Sequence, residues 1–248
     1  MQKRLLLSLS LLLASSSLFC QQETPKLNNT NTIIAWDFHD VLVRKNWSNI
    51  GSSALNLIKK DWSLLGYLFS PISFYIPAYR IIKNSSNPEE IVDKLISNYG
   101  YLKQHEDDLL NLVNQHDLIP ESVTALELLK KQGYKNYLAS NMGPKSYTIN
   151  QKRFSEFMNK FDGKFIPSDN TEQDKKPKPF LEYFYGLRSF LNTQKDITDQ
   201  TTIIFLDDSA KNIKAANESQ KNIIGLHVTD PKNIKNLLNN HITLNQDV

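Results

Sequence analysis

One cysteine, Cys20, stands in 248 residues, so no intrachain disulfide can form and an oxidising compartment would do the fold no harm. Excess charge is equally scarce. Lys and Arg number 29 against 26 Asp and Glu, a formal +3, and Lys3 and Arg4 supply two of those charges. Without that pair, 27 basic residues face 26 acidic ones, which gives no basic face for nucleic acid. No repeat of fixed period is visible, and no apolar run comfortably reaches the ~20 residues of a transmembrane helix. The longest run, from Leu5 to Ala14, follows Lys3-Arg4 and precedes three serines, the pattern of a cleaved export signal. We therefore expect a signal peptide over 1–20, a polar linker over 21–31 and a periplasmic or secreted protein with no stable membrane span after processing. Extension through Leu18 and Phe19 leaves an uncleaved anchor as the alternative. Cys20 raises a lipid anchor as another, although Phe19 is not the small residue expected before a lipidated cysteine.

What remains is ordinary globular material, 40% apolar and 22% charged, and long enough for a core domain with a smaller insert. Thr32 to Trp36 reads as a buried strand that leaves Asp37 at its C-terminal end. Residues 46–116 change character. Their Leu, Ile, Tyr and Phe recur at helical spacing between Pro71, Pro77 and Pro88, which predicts several short helices, one starting at Pro88 after Asn87. From Pro120 helices and strands alternate. Helices are expected over 121–132 (stopped by Gly133), 145–160, 179–191, 209–219 and 231–239, and strands over 134–139, 164–166, 201–206 and 223–228. Strands separated by helices favour an α/β, doubly wound parallel sheet. The core then comprises 32–45 and 117–240, with a frayed tail over 241–248.

Four short segments carry chemistry. In Trp36-Asp37-Phe38-His39-Asp40, a carboxylate at a strand end can attack phosphorus and form an aspartyl-phosphate, although Asp37 alone equally suits a turn. Asp207-Asp208 follows an apolar strand. Adjacent carboxylates repel unless a hard cation or a donor network offsets them, and magnesium is the natural cation; an N-cap aspartate with an exposed neighbour is the bland alternative. Ser140-Asn141, before Gly143-Pro144, offers hydroxyl and backbone N–H groups to a phosphoryl oxygen near a helix start. In Lys176-Pro177-Lys178-Pro179, Lys176 is the expected site ammonium, and a solvated basic loop is expected for the other lysines, Lys175 among them.

Order and chemistry together resemble the haloacid dehalogenase (HAD) superfamily over about residues 32 to 230. The resemblance implies a Rossmann-like core with a helical type-1 cap inserted between the first and second motifs, and a Mg2+-dependent phosphatase acting on a small phosphomonoester. It assigns Asp37, His39 and Lys176 to catalysis and Ser140, Asn141 and Lys176 to substrate binding. Asp37, the His39 carbonyl, Asp207 and Asp208 would hold the metal, Asp208 directly, with Asn212 steadying the loop. His39 breaks the pattern, because family phosphatases carry a second aspartate there. It either transfers protons itself, slows hydrolysis of the aspartyl-phosphate, or marks a site that binds without turnover. A dehalogenase, which would use Asp37 without metal, and a phosphate-binding or interaction protein are the rival readings. Asp40 replaces the usual glycine and is taken as a loop cap. His105, His116, His227 and His241 are expected to be surface or core residues, and the aromatics Trp62, Tyr67, Phe69, Phe74, Tyr75 and Tyr79 to pack the core of the cap or line its pocket.

Overall fold

The computed structural model describes residues 27–68, 76–83, 85, 87–166 and 176–244. The expected export segment, Cys20, Phe69, Phe74, Tyr75 and Lys175 lie outside the described residues. No helix among the described residues is long and apolar enough to cross a membrane.

Strand β1 (Thr32–Trp36) is buried along its whole length, and both of its neighbours run parallel to it. Two three-residue strands follow in sequence, β2 (Val43–Lys45) and β3 (His116–Leu118), and then β4 (Lys135–Ala139), β5 (Gly163–Phe165), β6 (Thr202–Asp207) and β7 (Ile223–His227). The main sheet has the order β5-β4-β1-β6-β7 and is parallel throughout. Chain order runs outward from β1 through β4 to β5, then returns to β6 on the other side of β1. That reversal opens a crevice at the C-terminal ends of β1 and β6, where open α/β sheets bind ligands.

The pleat sends alternate residues to opposite faces, and each face has its own core. Ile34, Trp36, Leu138, Ile204 and Leu206 pack with helix Pro120–Lys131 and helix Ile234–Asn239. Ile33, Ala35, Tyr137, Ile203 and Phe205 pack with helix Leu181–Thr193 and helix Ala210–Ser219. Two covered faces explain why the strands read as near-continuous apolar runs.

Local chemistry accounts for most helix ends. Helix Pro120–Lys131 places its proline in the first turn and stops before Gly133, whose φ of +80° is the left-handed conformation that glycine adopts without strain. Helix Pro88–Asn98 starts as expected, with the Asn87 side chain accepting the Glu90 N–H at 2.9 Å. The helix expected over 145–160 is divided at Phe154 into Pro144–Arg153 and Ser155–Met158. The helix expected over 231–239 opens as a 3-10 turn, Pro231–Asn233, capped by Asp230.

The helical insertion leaves and rejoins the core through the antiparallel β2–β3 ladder, which pairs Val43 with Leu118 and Lys45 with His116. Asn46 caps helix Trp47–Lys60 with its side-chain oxygen while its amide donates to both Asp117 oxygens at 2.9 Å. A buried polar network then ties the insertion to helix Pro144–Arg153. The Asn114 amide donates to the Leu110 carbonyl at 2.8 Å and to Ser146 Oγ at 3.0 Å, and its oxygen accepts from Asn150 at 2.9 Å. Arg153 donates to the Asn114 carbonyl. Trp62 and Tyr79, expected to fill the insertion or its pocket, are exposed at 68% and 64%; Leu57, Leu64, Ala78, Leu95 and Leu102 form that core instead.

Asn114→Ala strands the polar atoms of Ser146 and Asn150 in a dry interior, each at about 1–3 kcal/mol. A loss of about 2–4 kcal/mol in urea melts is expected, against under about 0.5 kcal/mol for exposed Asn111→Ala.

Candidate active site

The crevice gathers four side chains from three chain segments. Asp37 follows β1, its N–H bonded to the Leu206 carbonyl at 2.8 Å, which places it level with Asp207 at the end of β6. Carboxylate oxygens of Asp37, Asp207 and Asp208 lie within 4.8 Å of one another. Between the first two sits the Lys178 ammonium, 2.7 Å from Asp37 Oδ1 and 2.7 Å from Asp207 Oδ2, its side chain only 2% exposed. The rings of Phe205 and Tyr183 lie 5.2 and 5.8 Å from Nζ and add a cation–π field beneath it.

The ammonium in the crevice therefore belongs to Lys178, where the sequence reading placed that of Lys176. Lys176 is exposed and pairs with Glu182 at 3.0 Å. Both lysines precede a proline, so sequence alone offers no way to choose. Asn141 makes the choice in three dimensions: its Oδ1 accepts the Lys178 N–H at 2.8 Å and its Nδ2 donates to the Lys178 carbonyl at 3.2 Å. Expected to touch phosphate, Asn141 instead grips the peptide that aims the lysine.

Asp207 is fully buried and amply bonded. Its Oδ1 accepts from the Ser209 N–H at 2.8 Å and from Asn212 at 2.9 Å, and its Oδ2 accepts from Lys178 and, at 3.1 Å, from Asn212. Four contacts use the capacity of a carboxylate. Asp208 lies on the exposed rim with no ion-pair partner among the described residues; partial burial of its carboxyl, then Asp37, Asp207 and Asp40, push it up to about 6. Burial also raises Asp207, with Lys178 opposing. For Lys178, burial pulls downward, but Asp37 and Asp207 outweigh it and hold the ammonium above the ordinary lysine value.

Ser140 is buried and its Oγ accepts the Met142 N–H at 3.3 Å, holding the turn after β4. The helix start beyond it carries an anion from the chain itself: Glu89 Oε1 of the insertion accepts the Ser146 N–H at 2.6 Å. A Cβ at Gly143 would lie 2.4 Å from that carboxylate, so glycine lets Glu89 close in. The phosphoryl site expected at this helix start is thus taken by Glu89.

His39 is half-buried, and its ring faces His116 at 5.0 Å between centroids. Burial first, then Lys178 and Lys45, lower the His39 imidazole to about 4, so it is neutral at pH 7. His116 is buried and lowered to about 3, by burial and then by His39, with Asn150 opposing. Asp40 takes φ +56°, the left-handed conformation that aspartate tolerates better than most residues, and its N–H bonds to the Val43 carbonyl at 2.7 Å.

Lys178→Met leaves Asp37 and Asp207 buried together without their cation; a loss of about 3–5 kcal/mol at pH 7 is expected in denaturant melts, partly regained at pH 5 as a carboxylate takes up a proton. Lys176→Met, on the surface, should change stability by under about 1 kcal/mol. The histidines give the opposite pH trend. A folded pKa below the unfolded value means that the unfolded chain binds the extra proton, so stability is whole above about 6.5 and falls as pH drops toward 3. His116 alone should cost about 2 kcal/mol between pH 7 and 5, and His116→Gln should flatten the melts measured at those two values by that amount.

No family model matches the sequence, and no curated protein matches it. Solved structures do. L-2-haloacid dehalogenase from Xanthobacter autotrophicus aligns at 11% identity over 79% of this chain and 76% of that one, with a TM-score of 0.52. The same enzyme with chloropropionic acid covalently bound aligns at 12% identity over 87% and 84%, TM-score 0.51. A further dehalogenase aligns at 14% identity over 82% and 86%, TM-score 0.50.

Proposed function

On the haloacid dehalogenase fold that this chain adopts, we propose a Mg2+-dependent phosphatase in which Asp37 is the nucleophile. The observation that carries this reading is the convergence of the Asp37, Asp207 and Asp208 carboxylates, the first two paired with one buried ammonium. Three carboxylates against one lysine leave the crevice about two charges negative when all are ionised, a poor receptor for a phosphate dianion on its own. Hard oxygen donors suit Mg2+. Asp37 and Asp208 would hold it with the His39 carbonyl, while Asp207, its lone pairs engaged, would act through water. When bound there, the ion would supply charge neutralisation and polarise the phosphoryl oxygens.

Asp37 would attack phosphorus as the bond to the ester oxygen breaks and that oxygen leaves as its anion; water would then attack the aspartyl-phosphate, break its bond to phosphorus, and return phosphate and the free carboxylate. Lys178 holds Asp37 in place through its ion pair and faces the charge that develops on the phosphoryl oxygens. Asn141 serves through the lysine's peptide, and Ser140 by holding the turn after β4. His39, neutral at pH 7, could accept a proton from the attacking water only as a weak base and has none to donate to the leaving group. The reading therefore favours leaving groups that depart unprotonated, such as phenolates. The helical insertion serves as a cap over the crevice, and the Lys3-Arg4 start with its apolar run supports export.

Asp37→Asn should abolish release of phosphate from aryl phosphates with Mg2+, and Asp208→Asn should weaken Mg2+ dependence at least tenfold; hydrolysis by Asp37→Asn at the wild-type rate would remove the nucleophile. His39→Asp should speed alkyl phosphates more than aryl phosphates, since it adds the missing proton donor. The second reading, displacement of halide by Asp37, predicts chloride release from 2-chloropropionate that survives complete chelation. Phosphate binding with no turnover in the wild type, restored by His39→Asp, would mark a binder.

A further inference from the structure

A cavity of about 390 Å³ lies between the nucleophile loop and the helical insertion, and its lining is divided by origin. The core side supplies polar groups: His39 and Asp40 from the loop after β1, Lys45 from β2 and His116 from β3. The insertion supplies mainly aliphatic ones. Ile91 and Leu95 stand four apart on helix Pro88–Asn98, and Leu109, Leu112 and Val113 form one stripe on helix Glu106–Val113. Spacings of three and four put each set on a single helix face. Ser85 and Asn87 also line the insertion side, but the Asn87 oxygen is committed to its helix cap.

The polar end carries unmet demand. Nε2 of His39 and both ring nitrogens of His116 are buried with no well-formed hydrogen bond, the Asn150 side chain lying beside His116. A buried polar atom left this way is costly, and a ligand oxygen that reached it would remove the cost. His39 lies two residues from Asp37, so the cavity continues from the nucleophile's own loop.

We propose that this cavity receives the leaving group of an amphiphilic phosphomonoester whose leaving oxygen, phenolic or enolic, departs without a proton. The phosphate would sit at Asp37, a hydroxyl or carbonyl oxygen near the head would meet His39 and His116, and an unbranched or isoprenoid-like apolar tail would lie along the aliphatic stripe. At roughly 30 Å³ per water-sized group the volume takes a tail of about eight to twelve carbons. His116 is then a specificity residue. The proposal rests on the phosphatase reading and narrows its substrate class.

The test measures binding, so that it does not depend on turnover. Non-hydrolysable n-alkylphosphonates from methyl to dodecyl are titrated calorimetrically into the full chain with Mg2+, beside inorganic phosphate. Affinity should rise about threefold to fourfold per methylene to about eight carbons and then level off. Ile91→Trp should truncate the rise at shorter chains, while Leu112→Ala should extend it; thermal melts confirm that both variants fold. A 2-hydroxyalkylphosphonate should bind about tenfold tighter than its parent, and His116→Phe should erase that gain while keeping the chain-length slope. Phosphate binding with no chain-length dependence would overturn the tail pocket and leave the phosphatase reading standing. Failure of phosphate and of every phosphonate to bind would overturn both.

Discussion

The Lys178 ammonium, held 2.7 Å from each of two buried carboxylates, is the interaction on which the crevice depends. Two acids at neighbouring strand ends would otherwise repel in a medium that screens them poorly. Removing charges from water is expensive, so the arrangement persists only because each partner is further bonded: Asp207 by Ser209 and Asn212, and the lysine's backbone by Asn141. The sheet's parallel register supplies the other half of the constraint. Trp36 and Leu206 are partners across β1 and β6, so the residues that follow them must emerge side by side.

The same logic explains why the insertion is built as it is. It enters and leaves through the two-stranded β2–β3 ladder, and its polar contacts with helix Pro144–Arg153 include a buried set, Asn114 with Ser146 and Asn150, and a part-buried one, Glu89 on the Ser146 N–H. Such contacts demand a specific geometry, whereas apolar ones tolerate sliding. The insertion is thereby fixed over the loop after β1 while its aliphatic stripes remain lining a cavity. Ile91, Leu109, Leu112 and Val113 are each only half-buried, which is what a wall facing open space requires.

Much of this was legible in the chain. Strands buried on both faces show as apolar runs, and glycine and proline punctuate the helices, so β1, β4, β6 and β7 and the helices between them fall close to their expected places. The acidic cluster was legible as well, because carboxylates at strand ends of a parallel sheet have few places to go. What escaped were pairings set by distant residues. The β2–β3 ladder is three residues on each side, too short to show alternation. Lys176 and Lys178 have the same local context, and only Asn141, 37 positions away from Lys178, separates them. Glu89 and Ser146 lie 57 positions apart, so nothing near Gly143 announced that the helix start behind it was already capped. His116 looked like any isolated histidine until the ladder brought it against His39.

The division of labour between the three aspartates follows from their partners. Asp207 spends its lone pairs on Lys178, Asn212 and the Ser209 N–H, and so fixes the lysine. Asp37 touches Lys178 through one oxygen and is nearly buried at 7% exposure, which leaves it able to meet a ligand from the crevice side. Asp208 has the outward position, its carboxyl pushed up to about 6 first by burial and then by the two acids behind it. A cation placed between Asp37 and Asp208 would reverse that push and complete the charge balance that one lysine leaves short. In a metal-free displacement, Asp208 would remain a crowded, partly protonated acid with no task. On the proposed phosphatase reading the crevice is a two-cation design, one ammonium built into the fold and one divalent ion that would come from solution.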